Sequence, residues 1–321
     1  MLHGFVEETN MNDWKNIILP EYEIRKTQAQ KTRFTEMLKE KYGDSMKIEE
    51  SKKSDKSRNI VFGDPEKAKT VFTAHYDTCV FMPIPNFITP MNLFVYILYQ
   101  LLVVAIFYTP VVLLILLAAH LTEGMSETVR IAVNEIILFA SLFGLLLFLR
   151  KGPANRHTAN DNTSGVVTVL TLLDKIGTDK DAAFILFDNE ENGMQGSKAY
   201  AAAHPNVKNH RMIVNLDCVS DGDNILLFCS KAVKKDSYCK DILDRAETVL
   251  SEFGKAPLIP KGFTFYPSDQ TSFNRYIAVA ALKKSKLVGY YMDKIHTHKD
   301  IEFDERNIEA LVALFSGDVA L

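Results

Sequence analysis

Between Thr78 and Thr122 the sequence contains no Asp, Glu, Lys or Arg. Within that interval, "LFVYILYQLLVVAIFYTPVVLLILLAA" exceeds the roughly 20 apolar residues a helix needs to cross a bilayer. A second apolar run, Ile131 to Leu149, follows the polar loop "TEGMSETVR". Charge-free runs of this length are uncommon in soluble cores, so the sequence predicts a transmembrane hairpin over residues 85–150, with spans of about 92–118 and 131–149. Pro110 would kink the first span, which neighbouring groups in a membrane can accommodate, and a kinked or tilted helix absorbs the surplus length.

A hairpin returns the chain to the side it left, so residues 1–84 and 151–321 form one discontinuous domain in one compartment. The connecting loop carries Glu123, Glu127 and Arg130, whereas Arg150, Lys151 and Arg156 follow the second span. That asymmetry places the polar domain and both termini in the cytoplasm, on the inner face of the cell membrane. The opening "MLHGFVEETNMNDW" has neither a basic nor an apolar signal region, so no signal peptide is expected. Glu135 is the one ionisable residue well inside a span; a relay or a partner for His120 are alternatives to a side chain reaching the interface.

With the hairpin removed, the rest alternates strands and helices. An amphipathic helix is predicted from about Glu23 to Tyr42, with Gly43 as its C-cap. Strands follow at "RNIVFG" and "TVFTAHYD", a helix from about Thr163 to Ile176, a strand at "AAFILFD" and a helix from about Met194 to Ala203. Strands at "RMIVNLD" and "NILLF", a helix near Lys240 to Phe253, a strand at "AVAALK" and a helix from about Glu305 complete the pattern. Several strands are apolar throughout, which indicates an α/β fold: a mostly parallel, mixed sheet covered by helices on both faces. A 321-residue chain that is 47% hydrophobic has ample material for that core. Its net charge of -3 gives no basic field, which argues against a nucleic-acid partner. Cys79, Cys218, Cys229 and Cys239 show no paired spacing, so neither a disulfide framework nor a cysteine zinc site is expected.

In such sheets ligands gather beyond the carboxyl ends of the strands. Three strands here end in His75, Tyr76 and Asp77, in Asp188, Glu190 and Glu191, and in Asp217, while Asp161 lies just ahead of a helix that Asn162, Thr163 or Ser164 can cap. So many carboxylates share one edge only if their pKa values rise or cations lie between them. Histidine mixed with carboxylates favours zinc or a similar divalent ion, and a shared carboxylate favours two ions roughly 3.5–4 Å apart.

The ordered blocks "TAHYDT", "ANDNTSG", "ILFDNEENGMQGSKAY", "IVNLD", "PSDQTSF" and "IHTHKD" resemble the signatures of the di-zinc aminopeptidase family, which includes bacterial leucyl aminopeptidases, glutaminyl cyclases and the transferrin-receptor ectodomain. The match runs from about Arg25 to the C-terminus, interrupted by the hairpin. The resemblance implies the di-zinc exopeptidase fold and two zinc ions per chain: His75 and Asp217 on one, Glu191 and His296 on the other, Asp161 bridging, with His298 the rival to His296. It also implies that Asp77 orients the His75 imidazole and that the Asp161–Asn162 peptide bond is cis. Glu190 would be the general base, moving a proton from a metal-bridging water to the leaving amine.

Two features depart from the family. Gln270 stands where His or Tyr commonly follows "SD", so the Gln270 amide or Tyr266 would steady the developing oxyanion. The hairpin is the other, and it puts the site close to the membrane. The implied activity is a membrane-anchored zinc aminopeptidase acting on peptide substrates near the lipid bilayer. A glutaminyl-cyclase-like acyltransferase and a non-catalytic scaffold are the alternatives. A second copy of the chain, or a membrane transporter or protease delivering peptides, would be compatible partners. His3, His157, His204 and His210 read as surface or loop residues, and "SKKSDKSR" as a solvated loop near anionic lipid.

Overall fold

The computed structural model of the chain describes residues 11–51, 56–178 and 181–317. His3, most of the opening segment read for a signal peptide and the middle of "SKKSDKSR" lie outside the described residues.

The chain begins with α1 (Met11–Glu21) and α2 (Gln28–Tyr42), followed by β1 (Met46–Glu50), β2 (Arg58–Phe62) and β3 (Thr70–His75). Two long helices come next, α3 (Leu93–Leu121) and α4 (Glu127–Lys151), then α5 (Gly165–Ile176), β4 (Ala182–Phe187), α6 (Gln195–Ala203) and α7 (Pro205–His210). The last third holds β5 (Met212–Leu216), β6 (Asn224–Cys229), α8 (Ser237–Glu252), β7 (Ala256–Leu258), β8 (Tyr276–Ser285), β9 (Gly289–Tyr291) and α9 (Glu305–Ser316).

The strands form one sheet in the order β1-β2-β4-β3-β5-β8-β6-β7, with β9 paired to β8. Its centre, β4-β3-β5-β8, is parallel, whereas β1-β2, β2-β4, β6-β8 and β8-β9 are antiparallel. The expected parallel character holds for the four central strands and for the β6–β7 pair at one edge, and the antiparallel pairs make the sheet mixed. Successive side chains point to opposite faces. Phe72, Ala74, Phe184, Leu186, Val214 and Leu216 join the core formed with α1, α2, α5, α8 and α9. Val71, Ala183, Ile185 and Ile213 face the smaller core under α6 and α7.

Local chemistry explains where the helix boundaries depart from expectation. Thr27 and Gln30 form a reciprocal capping box, so α2 starts at Gln28 and leaves Arg25 extended and buried. Asp161 and Asn162 have non-helical backbone angles, which delays α5 to Gly165. Asn162 caps it, its side-chain oxygen accepting from the Gly165 amide at 3.0 Å. A Cβ at Gly165 would lie 2.2 Å from the Leu216 carbonyl oxygen, so only glycine lets this turn sit against β5. Cys229 and Cys239 are free thiols whose sulfurs lie 2.7 Å apart, a proximity their spacing did not signal.

The helices α3 and α4 are long and apolar enough to cross a membrane, and none of their residues is buried. A soluble core helix would be mostly buried. Leu101, Leu113, Phe139 and Phe143 are each more than 60% exposed or at that value. α3 runs through Pro110 as one helix. His120 lies 3.5 Å from Glu123, not near Glu135, which is exposed.

Candidate active site

The carboxyl ends of β3, β4 and β5, the turn before α5 and the segment before α9 converge on one cluster. His75 ends β3, and its Nε2 lies 3.3 Å from Asp161 Oδ1 and 3.5 Å from Asp217 Oδ1. His296 Nε2 lies 3.1 Å from Asp161 Oδ2 and 3.3 Å from Glu191 Oε2. The two oxygens of Asp161 thus face two different histidines, the disposition a bridging carboxylate requires. His298 is exposed and packs its ring toward Phe81, which separates the two rival histidines.

His75, Asp161 and Asp217 each offer a donor atom within 4.8 Å of the others, and so do Cys79, Asp161, Glu191 and His296. Cys79 was not expected; it lies two residues past Asp77 and is buried. His75, Glu190 and Glu191 form a third such group.

The donor set fits divalent cations. His75 Nδ1 lies 3.0 Å from the Asp77 main-chain carbonyl, which can only accept, so Nδ1 carries a proton and Nε2 is the nitrogen left to face the two carboxylates and to bind a metal. Asp217 Oδ1 and Glu191 Oε1 are buried with no hydrogen-bond partner. Cations between these atoms would satisfy acceptors that otherwise oppose one another. Histidine and carboxylate donors suit zinc and similar divalent ions.

The electrostatics agree. Burial alone would lower the His75 pKa, but Asp161, Asp217 and Asp77 outweigh it and hold it well above the ordinary value. Burial likewise opposes Glu191 and Asp161 at His296, which ends up at about 9. Burial would raise Asp161, yet the two histidines pull it below its usual range. Burial pushes Glu191 up to about 8 and drives Glu190 well above the ordinary carboxylate value, against the opposing charge of His75.

The turn holding Glu190 and Glu191 is fixed from behind. The Asp77 carboxylate accepts their backbone amides at 2.9 and 3.2 Å. Asp77 was expected to orient the His75 imidazole; its main-chain carbonyl lies 3.0 Å from Nδ1, and its Oδ1 3.7 Å from the same nitrogen. Asp188, whose role the sequence left open, forms a buried ion pair with Lys31 at 2.5 Å and accepts the Arg58 amide at 3.0 Å. Asp300 accepts the Asn160 and Asp161 amides at 2.9 and 3.1 Å and so holds the central carboxylate, whose peptide bond to Asn162 is cis.

The expected oxyanion donors are placed differently. Gln270 is fully buried; its Nε2 donates to the Tyr266 carbonyl at 2.7 Å and its Oε1 accepts from Asn215 at 2.8 Å. Both ends of the amide are occupied with structural partners, so Gln270 braces the Tyr266 segment. The Tyr266 hydroxyl reaches the cluster, but it donates to the Asp217 carbonyl at 3.0 Å. The same segment buries Asp269, a carboxylate the sequence reading passed over. Burial lifts it to about 7, and Ser197 lies beside it without a well-formed hydrogen bond to either oxygen.

A mixed sheet whose carboxyl edge gathers histidines and carboxylates around one shared aspartate defines a class of metal-dependent hydrolases. The profile of Peptidase family M28 matches residues 142–314, and the chain belongs to that metallopeptidase family. No curated protein matches the sequence at a significant level. Among solved structures, the LapA aminopeptidase of Legionella pneumophila is similar in fold at 14% identity, with a TM-score of 0.52 over 98% of this chain and 69% of that one. The glutaminyl cyclase of Porphyromonas gingivalis aligns at 14% identity with a TM-score of 0.56, over 97% of this chain and 98% of that one. The glutaminyl cyclase of Fimbriiglobus ruber aligns at 12% identity and a TM-score of 0.54, covering 99% and 96%.

Proposed function

We propose that the protein is a membrane-anchored, zinc-dependent aminopeptidase that hydrolyses peptides at the inner face of the membrane. The observation that carries this is Asp161, whose two oxygens face His75 and His296 in two adjoining donor groups. His75 and Asp217 would hold one ion, Glu191 and His296 the other, with Asp161 shared and Cys79 a further donor on the second side. Zinc ions held there would supply Lewis-acid activation of water and of the scissile carbonyl at neutral pH.

The chain's own residues do the rest. Glu190 is half-buried, borders the His75 and Glu191 donors, and has no side-chain hydrogen bond among the described residues. With a raised pKa it can take a proton at its carboxylate and return it to the departing amine. Asp77 keeps the Glu190 backbone and the His75 tautomer in place, and Asp300 keeps Asp161 in place. Tyr266 would serve the oxyanion only by turning its hydroxyl from the Asp217 carbonyl, so the developing charge falls mainly to the metal side of the site.

Exposed apolar surface supports the membrane reading. Fully burying a leucine or phenylalanine is worth about 1.5–3 kcal/mol, so leaving the side chains of α3 and α4 in water forfeits tens of kcal/mol. Lipid covers such a surface on all sides. The hairpin is inserted within the peptidase domain and its base is tied to the site: the Met82 amide donates to the His296 carbonyl at 2.8 Å, and Ile88 and Met292 exchange backbone hydrogen bonds. Arg150 and Lys151 in the last turn of α4 favour the cytoplasmic side.

A glutaminyl-cyclase-like reaction is the second reading, favoured by the fold likeness to that class; both complete donor groups weigh against it. Peptide-library digestion by the zinc-loaded protein tests the assignment. Stepwise release of N-terminal residues is the expected result, and Glu190→Gln should slow it by about 10²–10⁴ with metal retained. Wild-type protein that hydrolyses nothing would overturn the assignment.

A further inference from the structure

A cavity of about 240 Å³ opens beside the cluster, and its lining joins Glu191, His296 and Asp77 to Lys26, Lys31 and Arg150. The Lys31 charge is spent on Asp188 at 2.5 Å and on the Asn189 side chain at 2.8 Å. Lys26 and Arg150 have no carboxylate at ion-pair distance among the described residues. The Lys26 ammonium donates only to the Arg150 main-chain carbonyl, at 3.1 Å, which leaves donors to spare and brings the two residues together. Burial and then the Lys31 charge lower the Lys26 pKa, against the opposing pull of Cys79, Glu191 and Asp77, which places the ammonium within reach of the cluster.

Lys26 is also held firmly. Its neighbour Arg25 is fully buried and donates to the Tyr76 carbonyl at 2.6 Å and to Thr163 at 3.1 Å, while the Lys26 amide reaches Gln30 at 3.2 Å. An anchored backbone leaves less freedom to lose when the Lys26 side chain engages a ligand.

We propose that Lys26 and Arg150 bind a carboxylate of the peptide on the leaving-group side of the scissile bond, so the enzyme selects short peptides with a free C-terminus. This rests on the peptidase reading above. The scissile carbonyl belongs beside Glu191 and His296, and the two cations line the same cavity. With divalent ions neutralising the acidic residues, an anion entering there meets attraction, and a guanidinium matches a carboxylate fork. The volume lies below the roughly 300–1,000 Å³ of larger ligand sites, which suits the end of a chain.

The test uses full-length, zinc-loaded protein in detergent and compares kcat/KM for Ala-Ala, Ala-Ala-amide and Ala-Asp-amide. Ala-Ala should exceed its amide by about tenfold or more, mainly through KM, since a charge-assisted contact is lost. In Lys26→Gln/Arg150→Gln that ratio should collapse to about twofold or less, with Lys26→Gln alone giving a partial collapse and Lys26→Arg retaining the preference. Ala-Asp-amide rescued to the Ala-Ala level would assign the same cations to a side-chain carboxylate. Equal rates for acid and amide in wild type, or an unchanged ratio in a variant of normal zinc content, overturns the proposal alone. So does an unselective enzyme whose variants lose only binding to phosphatidylglycerol vesicles, which would assign the cations to lipid. A wild type that cleaves no peptide overturns the peptidase reading and this proposal with it.

Discussion

Replacing Lys31 with Met leaves Asp188 buried without its cation. The two side chains are 3% and 0% exposed and 2.5 Å apart, and no other ion-pair partner of Asp188 exists among the described residues. Breaking a buried pair from one side costs about 3–5 kcal/mol, because the remaining charge stays desolvated. The Arg58 and Asn189 amides still donate to Asp188, at 3.0 and 2.8 Å, which keeps the loss toward the lower end. Burial already raises the Asp188 pKa against the opposing pull of Lys31, so the variant should raise it further. The folded variant then binds more protons than the unfolded chain at mildly acidic pH, and its deficit relative to wild type should shrink as pH falls from 8 toward 5. Thermal unfolding of zinc-free protein in detergent, read by Trp14 fluorescence, measures this; Trp14 is the only tryptophan and is fully buried. At about 2–4 °C per kcal/mol, the melting point should fall by roughly 6–20 °C at pH 8. Lys31→Met/Asp188→Asn should recover about half of that. A fall below about 3 °C, with no pH dependence, would refute the buried pair.

Other consequences follow from the same geometry. Glu190→Gln should lower kcat by about 10²–10⁴ at unchanged zinc content, read by steady-state kinetics with elemental analysis. Cobalt-loaded protein should show a thiolate charge-transfer absorption that Cys79→Ser removes; its persistence would exclude Cys79 from the metal. Asp300→Asn should weaken metal affinity about 10–100-fold by loosening the Asp161 backbone, measurable by competition with a chelator. Gln270→Ala should reduce thermal stability by about 1–3 kcal/mol through the freed Tyr266 carbonyl and Asn215 amide, and a loss of kcat without destabilisation would restore it as an oxyanion donor.

The sequence was most informative where chemistry is dense. His75, Asp77, Asp161, Glu190, Glu191 and Asp217 could be read as a set because each falls at a strand end or a helix start, whereas His296, in a turn, was picked out only by the family resemblance; the structure gathers all of them. The central parallel strands were readable because they are buried on both faces and mostly apolar, β4 wholly so. The flanking β1, with its pattern of charged residues, gave no comparable signal. Nor did α1, where Trp14 and Ile18 make one short buried stripe. Cys79, Lys31, Asp269 and Asp300 act through tertiary contacts with residues far along the chain, and spacing alone carries no trace of such partners. Gln270 shows the opposite error: position within a motif suggested a donor, while packing commits its amide elsewhere.

The central claim is that Asp161 is shared between two metal positions, and metal content measured across single variants addresses it most directly. Wild-type protein should hold about two zinc ions per chain, Asp217→Ala and His296→Ala about one each, and Asp161→Ala close to none. Wild type binding one ion or fewer, or Asp161→Ala retaining both, would contradict the account.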